Sequence, residues 1–231
     1  MRRTLAAAVL SAAFLAPGAQ AASVLHDGIA DFTTLAFSGG TPVAPGRSNA
    51  AAMFDGVANS FRTLGIGGAL VAGIPLDRAI AEVTLAEFTF GNSGNHSEQA
   101  TVALGVDADG DGVADGGWVD IGVLRNGQWG GLPPTTAAPG QTIATLTGAF
   151  DGNRTTFTIT VSGGDYNLIR FLDGSTAAPG RDGFDIAELR LVSNDAGPDL
   201  ANVIPAPGSL ALLGAGLFGL GLTRRKDRGA A

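Results

Sequence analysis

From Ser23 to about Asn194 the chain is a succession of short apolar or alternating runs, each cut off by Gly, Asn, Asp or Pro. Seven of them read as strands: "EVTLAEFTF", "TVALGV", "WVDIGVL", "QTIATL", "TTFTITV", "NLIRFL" and "FDIAELRLV". Successive side chains of a strand point to opposite faces, so in "TTFTITV" Phe157, Ile159 and Val161 share one face and the threonines the other. That is the pattern of a half-buried antiparallel strand. Earlier stretches around "DFTTLAF", "AAMF" and "FRTLGIGGALV" add one to three more, for roughly eight or nine in all. The alternation breaks at Ala86-Glu87 and at Ala187-Glu188, where a bulge would turn the strand. No amphipathic helical period interrupts these runs. They predict an all-β fold, a jelly-roll-like antiparallel β-sandwich spanning residues 22–194.

Composition narrows this further. With 231 residues, 45% hydrophobic, 36 Gly and 11 Pro, the chain can fill one core and is rich in turns. Its apolar content excludes a disordered chain. The absence of cysteine excludes disulfides and thiolate metal sites. Charge is unevenly placed: residues 22–204 hold twenty acidic residues against eight arginines and no lysine, about −12 in sum. Such a body repels phosphate backbones, so nucleic acid is excluded as a partner, whereas divalent cations and neutral polymers suit it.

The remaining basic residues are at the termini. Arg2 and Arg3 precede an apolar stretch from Leu5 to Leu15, broken by Pro17 and Gly18, and "AQAA" follows. This order predicts a signal helix over residues 1–21 with cleavage between Ala21 and Ala22. Its apolar part spans only ~16 Å as a helix, too short for an anchor. At the other end, a polar linker over 195–203 leads to "IPAPGSLALLGAGLFGLGLTRRKDRGAA". The apolar helix expected over 209–223 is short for a permanent span and adequate for a temporary hold. Arg224, Arg225 and Lys226, within a basic end at 224–228, would stop it on the cytoplasmic side.

Pro205-Ala206-Pro207, the Gly-rich apolar run and the basic end together resemble the PEP-CTERM class of sorting tails over residues 204–231, in particular its V-P-x-P-A variant. Ile204 stands for Val and Gly208 for Ala, which leaves the subtype open. The resemblance implies an exported bacterial protein held transiently in the inner membrane. It also implies recognition by an exosortase, a membrane-embedded cysteine-type transpeptidase, with cleavage near the Pro-x-Pro. A plain C-terminal anchor is the alternative. "FRTLGIGGALVAGIPLDRAIAEVTLAEFTFGN" and "IRFLDGSTAAPGRDGFDIAELRLV" resemble exported jelly-roll domains of the galactose-binding-like kind, which implies a sandwich whose end loops can carry a ligand.

One stretch has metal chemistry. "DADGDGVADGG" sets Asp107, Asp109, Asp111 and Asp115 at relative positions 1, 3, 5 and 9, with the Val113 carbonyl at 7 and Gly112 at 6. Calcium needs six to eight hard oxygens, and such a loop can wrap a structural ion. It is similar to a thrombospondin type 3 loop and to the start of an EF-hand, but Trp118 stands where the EF-hand has its bidentate Glu. Asp120 or another strand would have to replace that ligand. The alternative is a solvated acidic hairpin turn.

Asp182, Asp185 and Glu188 are a weaker acidic set, which the strand's alternation splits unless a bulge intervenes. Trp129 in "NGQWGGLPP" is the aromatic placed to stack on a sugar, whereas Trp118, at the start of a strand, reads as core. Glu87, Glu98 and Glu188 could form a glycosidase pair, but no spacing fixes them, and neither His26 nor His96 sits in a nucleophile motif. The expectation is therefore a non-enzymatic surface or extracellular-matrix protein of adhesive or structural role in a biofilm matrix. A carbohydrate-binding module that meets extracellular polysaccharide is the alternative, and an envelope hydrolase is a third reading.

Overall fold

A computed structural model describes residues 23–57, 59–89, 97–127, 132–178 and 181–195. The signal segment with Ala21 and Ala22, the loop residues His96 and Trp129, and the tail with Pro205, Ala206, Pro207, Arg224, Arg225 and Lys226 lie outside the described residues, as do both expected terminal helices.

Twelve strands form in the described residues: β1 (Val24–His26), β2 (Thr34–Gly39), β3 (Arg62–Thr63), β4 (Gly68–Gly73), β5 (Ala79–Phe88), β6 (Gln99–Gly105), β7 (Val119–Arg125), β8 (Thr135–Ala137), β9 (Ala144–Phe150), β10 (Arg154–Val161), β11 (Leu168–Asp173) and β12 (Asp185–Asn194). They make two six-stranded antiparallel sheets. The first runs β1-β12-β5-β10-β9, with β3 also paired to β12, and the second runs β2-β4-β11-β6-β7-β8. The chain passes between the sheets at eight of its eleven connections. This is jelly-roll connectivity.

Three differences from the sequence expectation have local causes. "AAMF" is not a strand: Asn49 accepts a hydrogen bond from the Ala51 N–H and opens a 3-10 turn over Ala50–Met53. "FRTLGIGGALV" divides into β3 and β4 at a tight turn, where a Cβ on Gly68 would stand 1.9 Å from the Leu64 carbonyl. The strands β1 and β8 are three residues each, too short for a periodic signal. The expected bulge is present as a single feature. The register of β12 on β5 shifts between Ile186 and Glu188, opposite Ala86 and Glu87.

The core lies between the inner faces of the two sheets. Val83, Leu85, Phe157, Ile159, Leu189 and Leu191 of one sheet meet Leu70, Val102, Leu104, Ile121, Leu124, Ile169 and Phe171 of the other, all fully buried. Phe157 and Ile159 point inward as the alternation required, and Val161 packs against the rim. Phe184 and Met53 fill the remaining space. Among the described residues the fully buried core thus spans Met53 to Leu191. Among the described residues no helix is long and apolar enough to cross a membrane.

Candidate functional site

Acidic side chains gather at both ends of the sandwich. At the end where β12 finishes, the loop joining β6 to β7 carries the aspartates of the metal-like sequence. Asp107 is 3% exposed and organises the loop. Its Oδ1 accepts from the Gly110 N–H at 2.7 Å and its Oδ2 from the Gly112 N–H at 2.9 Å. Asn167, from the β10–β11 connection, pins its backbone on both sides, accepting from the Asp107 N–H and donating to the Asp107 carbonyl, each at 2.7 Å. Asp115 folds back so that its Oδ2 accepts from the Ala108 N–H at 2.7 Å. Gly110 and Gly112 both have positive φ, which lets the chain curl around the carboxylates.

The result brings together three of the predicted ligands. Carboxylate oxygens of Asp107, Asp109 and Asp115 lie within 4.8 Å of one another. Asp111 stands apart, its Oδ1 accepting from the Val113 N–H at 2.8 Å, and Val113 is 61% exposed. Asp120 turns toward Arg170 at 3.9 Å. Trp118 is not core. Its ring covers Gly105 on the outer face of the second sheet, where a Cβ would come within 3.1 Å of it, and the Arg170 guanidinium lies 4.6 Å from its centroid on the ring face.

The opposite end holds a different set. Glu87 and Glu98, flanking the β5–β6 loop, and Asp185, at the start of β12, are 0%, 2% and 1% exposed. Glu87 accepts from the Thr89 hydroxyl at 2.6 Å and from the Asn126 amide at 3.2 Å. Asp185 accepts from the Thr63 hydroxyl at 2.5 Å. Burial is the main reason that all three are protonated more readily than usual. It pushes Glu87 up to about 8 against its two hydrogen bonds. It raises Glu98 as well, with the charges of Asp185, Glu87, Asp182 and Asp173 adding to the effect. Asp185 is raised by burial and by Asp182 and Glu87, against Thr63 and Arg47. Two further acids are satisfied: Asp173 accepts from the Gly67 and Phe184 N–H groups, and Asp182 pairs with Arg47.

Glu188 joins neither end. The bulge sends it to the outer surface, where it pairs with Arg154 and accepts from Arg190 Nε at 2.8 Å. The proposed Asp182, Asp185 and Glu188 set is therefore divided. His26 is buried rather than solvated. Its Nδ1 faces the Asp31 carbonyl at 3.0 Å, which can only accept, so Nδ1 donates there and Nε2 accepts from the Ser193 hydroxyl at 2.8 Å. It straps the first strand to the last.

The last described residue, Asp195, is fixed to Arg78 by a 2.8 Å ion pair at the acidic-loop end, so the tail leaves the sandwich there. The family model of the PEP-CTERM protein-sorting motif matches residues 203–226. The chain carries a PEP-CTERM sorting motif. No curated protein gives a significant match to the chain. The PEP-CTERM motif implies an exported protein, transiently anchored in the membrane and processed by an exosortase. Residues 195–202 separate Asn194, where β12 ends, from the PEP-CTERM motif.

Proposed function

We propose that the protein is delivered to the cell surface or extracellular matrix once an exosortase has removed its tail, and that the released sandwich plays a non-catalytic structural or adhesive role in extracellular polymer. The observation that carries this reading is the sorting motif at 203–226 set beyond a core that ends at Leu191. Cleavage near Pro205-Ala206-Pro207 would leave every described buried side chain in the fold. The acids at the far end support a structural part: Glu87 and Asp185 are buried and hydrogen-bonded to Thr89, Asn126 and Thr63.

The acidic loop is read as a structural calcium site built from Asp107, Asp109 and Asp115 at the end from which the tail departs. Carbohydrate binding remains the alternative for the body. Its contact would have to be Trp129, since Trp118 has one face on Gly105 and the other under Arg170.

The test is intact mass spectrometry of the protein from a host with an exosortase and from the same host without it. We expect loss of the residues following the Pro-x-Pro in the first case only. A mature protein that keeps Arg224 and Arg225 in the presence of the enzyme would end the processing reading. A glycan array with the tailless sandwich separates the adhesive role from specific sugar recognition.

A further inference from the structure

Residues 40–67, described but for residue 58, leave the second sheet and return to it at one point, since Gly39 and Gly68 are directly opposed in the β2–β4 pair. The stems of this excursion touch. The Thr41 N–H donates to the Ile66 carbonyl at 3.1 Å and the Ile66 N–H to the Thr41 hydroxyl at 3.0 Å. Each stem turns at a glycine, Gly40 or Gly65, with φ of 79°. Of the strand pairings, only that of the two residues of β3 on β12 depends on the excursion.

What holds it down is largely acidic. The stretch from the end of β11 to the start of β12 supplies three carboxyls: Asp173 accepts from the Gly67 N–H at 2.8 Å, Asp182 pairs with Arg47, and Asp185 accepts from the Thr63 hydroxyl. The Leu64 N–H adds a bond to the Phe184 carbonyl at 3.0 Å. Glu87 from β5 and Glu98 before β6 complete the set: Glu87 and Asp182 act on Asp185 by charge, Asp185, Glu87, Asp182 and Asp173 act on Glu98, and Arg47 is the cation that opposes them at Asp185. Elsewhere the seating is loose. Met53 and Leu64 reach the core, but among the described residues no backbone hydrogen bond joins residues 50–57 to β12. A cavity of about 210 Å³ lies between Met53, Phe54 and Val57 on one side and Glu188, Leu189 and Arg190 on the other.

We propose that residues 40–67 are a strap that opens as one unit on its Gly40 and Gly65 stems when the carboxyls beneath it ionise, while both sheets stay folded. Closed, the strap keeps Glu98 and Asp185 where burial and neighbouring charge oppose ionisation. Open, it returns them to water. Opening therefore releases protons, and for each proton released the open fraction grows up to tenfold per pH unit. The strap is closed on the acid side and loosened on the alkaline side, where it withdraws Met53 and Leu64 from the core. Because its stems meet at one point of the second sheet, this motion costs a single two-residue strand pairing, so it lies below global unfolding in free energy.

The chain has no cysteine, so one buried thiol in the full-length protein reports access to its own position. Met53→Cys in the strap and Ile159→Cys in β10, both at fully buried positions, are labelled with a maleimide from pH 6 to 9. Each rate is divided by that of the same variant in urea, which removes the ionisation of the thiol itself. Met53→Cys should react at least about tenfold faster than Ile159→Cys, and its corrected rate should rise about three- to tenfold per pH unit between pH 7 and 9. In wild type, hydrogen exchange of the Leu64 and Gly67 N–H groups, corrected for its intrinsic pH dependence, should show the same slope, which a cavity left by Met53→Cys cannot imitate. Asp185→Asn keeps an acceptor for the Thr63 hydroxyl without the charge and should reduce the slope, as should Glu98→Gln. Equal labelling of the two thiols would mean that this end opens only with the whole fold, and a corrected rate independent of pH would mean that the acids do not hold the strap. Either result overturns the proposal, and so would an unchanged slope in both Asp185→Asn and Glu98→Gln.

Discussion

At the end where the chain leaves the sandwich, Asp107 is 3% exposed and meets backbone N–H groups with both of its oxygens. At the other end Glu87 and Asp185 are buried as deeply, but the groups that donate to them are hydroxyls and one amide, with other carboxyls close by. Backbone N–H groups stabilise a carboxylate, whereas burial among carboxyls favours the neutral acid. The first end thus holds its buried carboxylate on backbone donors. The second pushes Glu87, Glu98 and Asp185 toward the protonated, uncharged form. Acidic composition alone does not distinguish these states, and the local donors do.

The contrast is broken most strongly by pH. Glu87 is raised from 4.5 to about 8, so above pH 4.5 the folded state binds more protons than the unfolded one. Stability must therefore fall as pH rises, from about 4.5 until Glu87 ionises near 8 in the fold, and the raised Glu98 and Asp185 act in the same direction. For Glu87 alone the loss is on the order of 5 kcal/mol. Urea denaturation at pH 5, 7 and 9 reads it directly. Glu87→Gln should flatten the slope and be the more stable protein at pH 9. A wild-type midpoint that is constant or rises across that range would remove the neutral-acid reading.

The charged end should respond through its backbone. Asp107→Ala leaves the Gly110 and Gly112 N–H groups without their acceptor in a partly buried loop, at a cost of about 2–3 kcal/mol. Asp107→Asn keeps one acceptor oxygen and should recover part of it. Thermal unfolding of both variants, with the chelator present throughout, isolates this contribution from any metal. Equal stability of the alanine variant and wild type would mean that the loop holds itself by other contacts.

How far these ends could be read from sequence depends on the range of the interaction. The faces of β10 and the bulge opposite Ala86 and Glu87 are local periodicity, and both were legible. The burial of Glu87 was missed, although it continues the inward phase of Val83 and Leu85, as Asp173 does after Ile169 and Phe171. That Glu98 and Asp185 meet it was not legible, since the three come together only when the β5–β6 loop and the start of β12 are folded onto one end. Trp118 was misplaced for a similar reason. Strand alternation cannot show that Gly105, thirteen positions earlier, opens a seat for its ring on the outer face. The loop spacing announced four aspartates, and only the fold divides them, setting Asp111 aside from the other three.

That division supplies the smallest and sharpest effect. If calcium sits between Asp107, Asp109 and Asp115, millimolar calcium should raise the melting temperature, by an amount equivalent to about 1–3 kcal/mol at saturating concentrations. Asp109→Ala removes a member of the cluster and should abolish most of that gain. Asp111→Ala removes a carboxylate that stands outside the cluster of three, so its effect on the calcium shift should stay below about 1 kcal/mol. Because Asp109 and Asp111 are both exposed, and two positions apart in the same loop, a difference between them cannot come from general loss of negative charge. Equal losses would mean that the loop attracts cations only as a diffuse acidic surface, and a null calcium shift in wild type would dismiss the ion altogether.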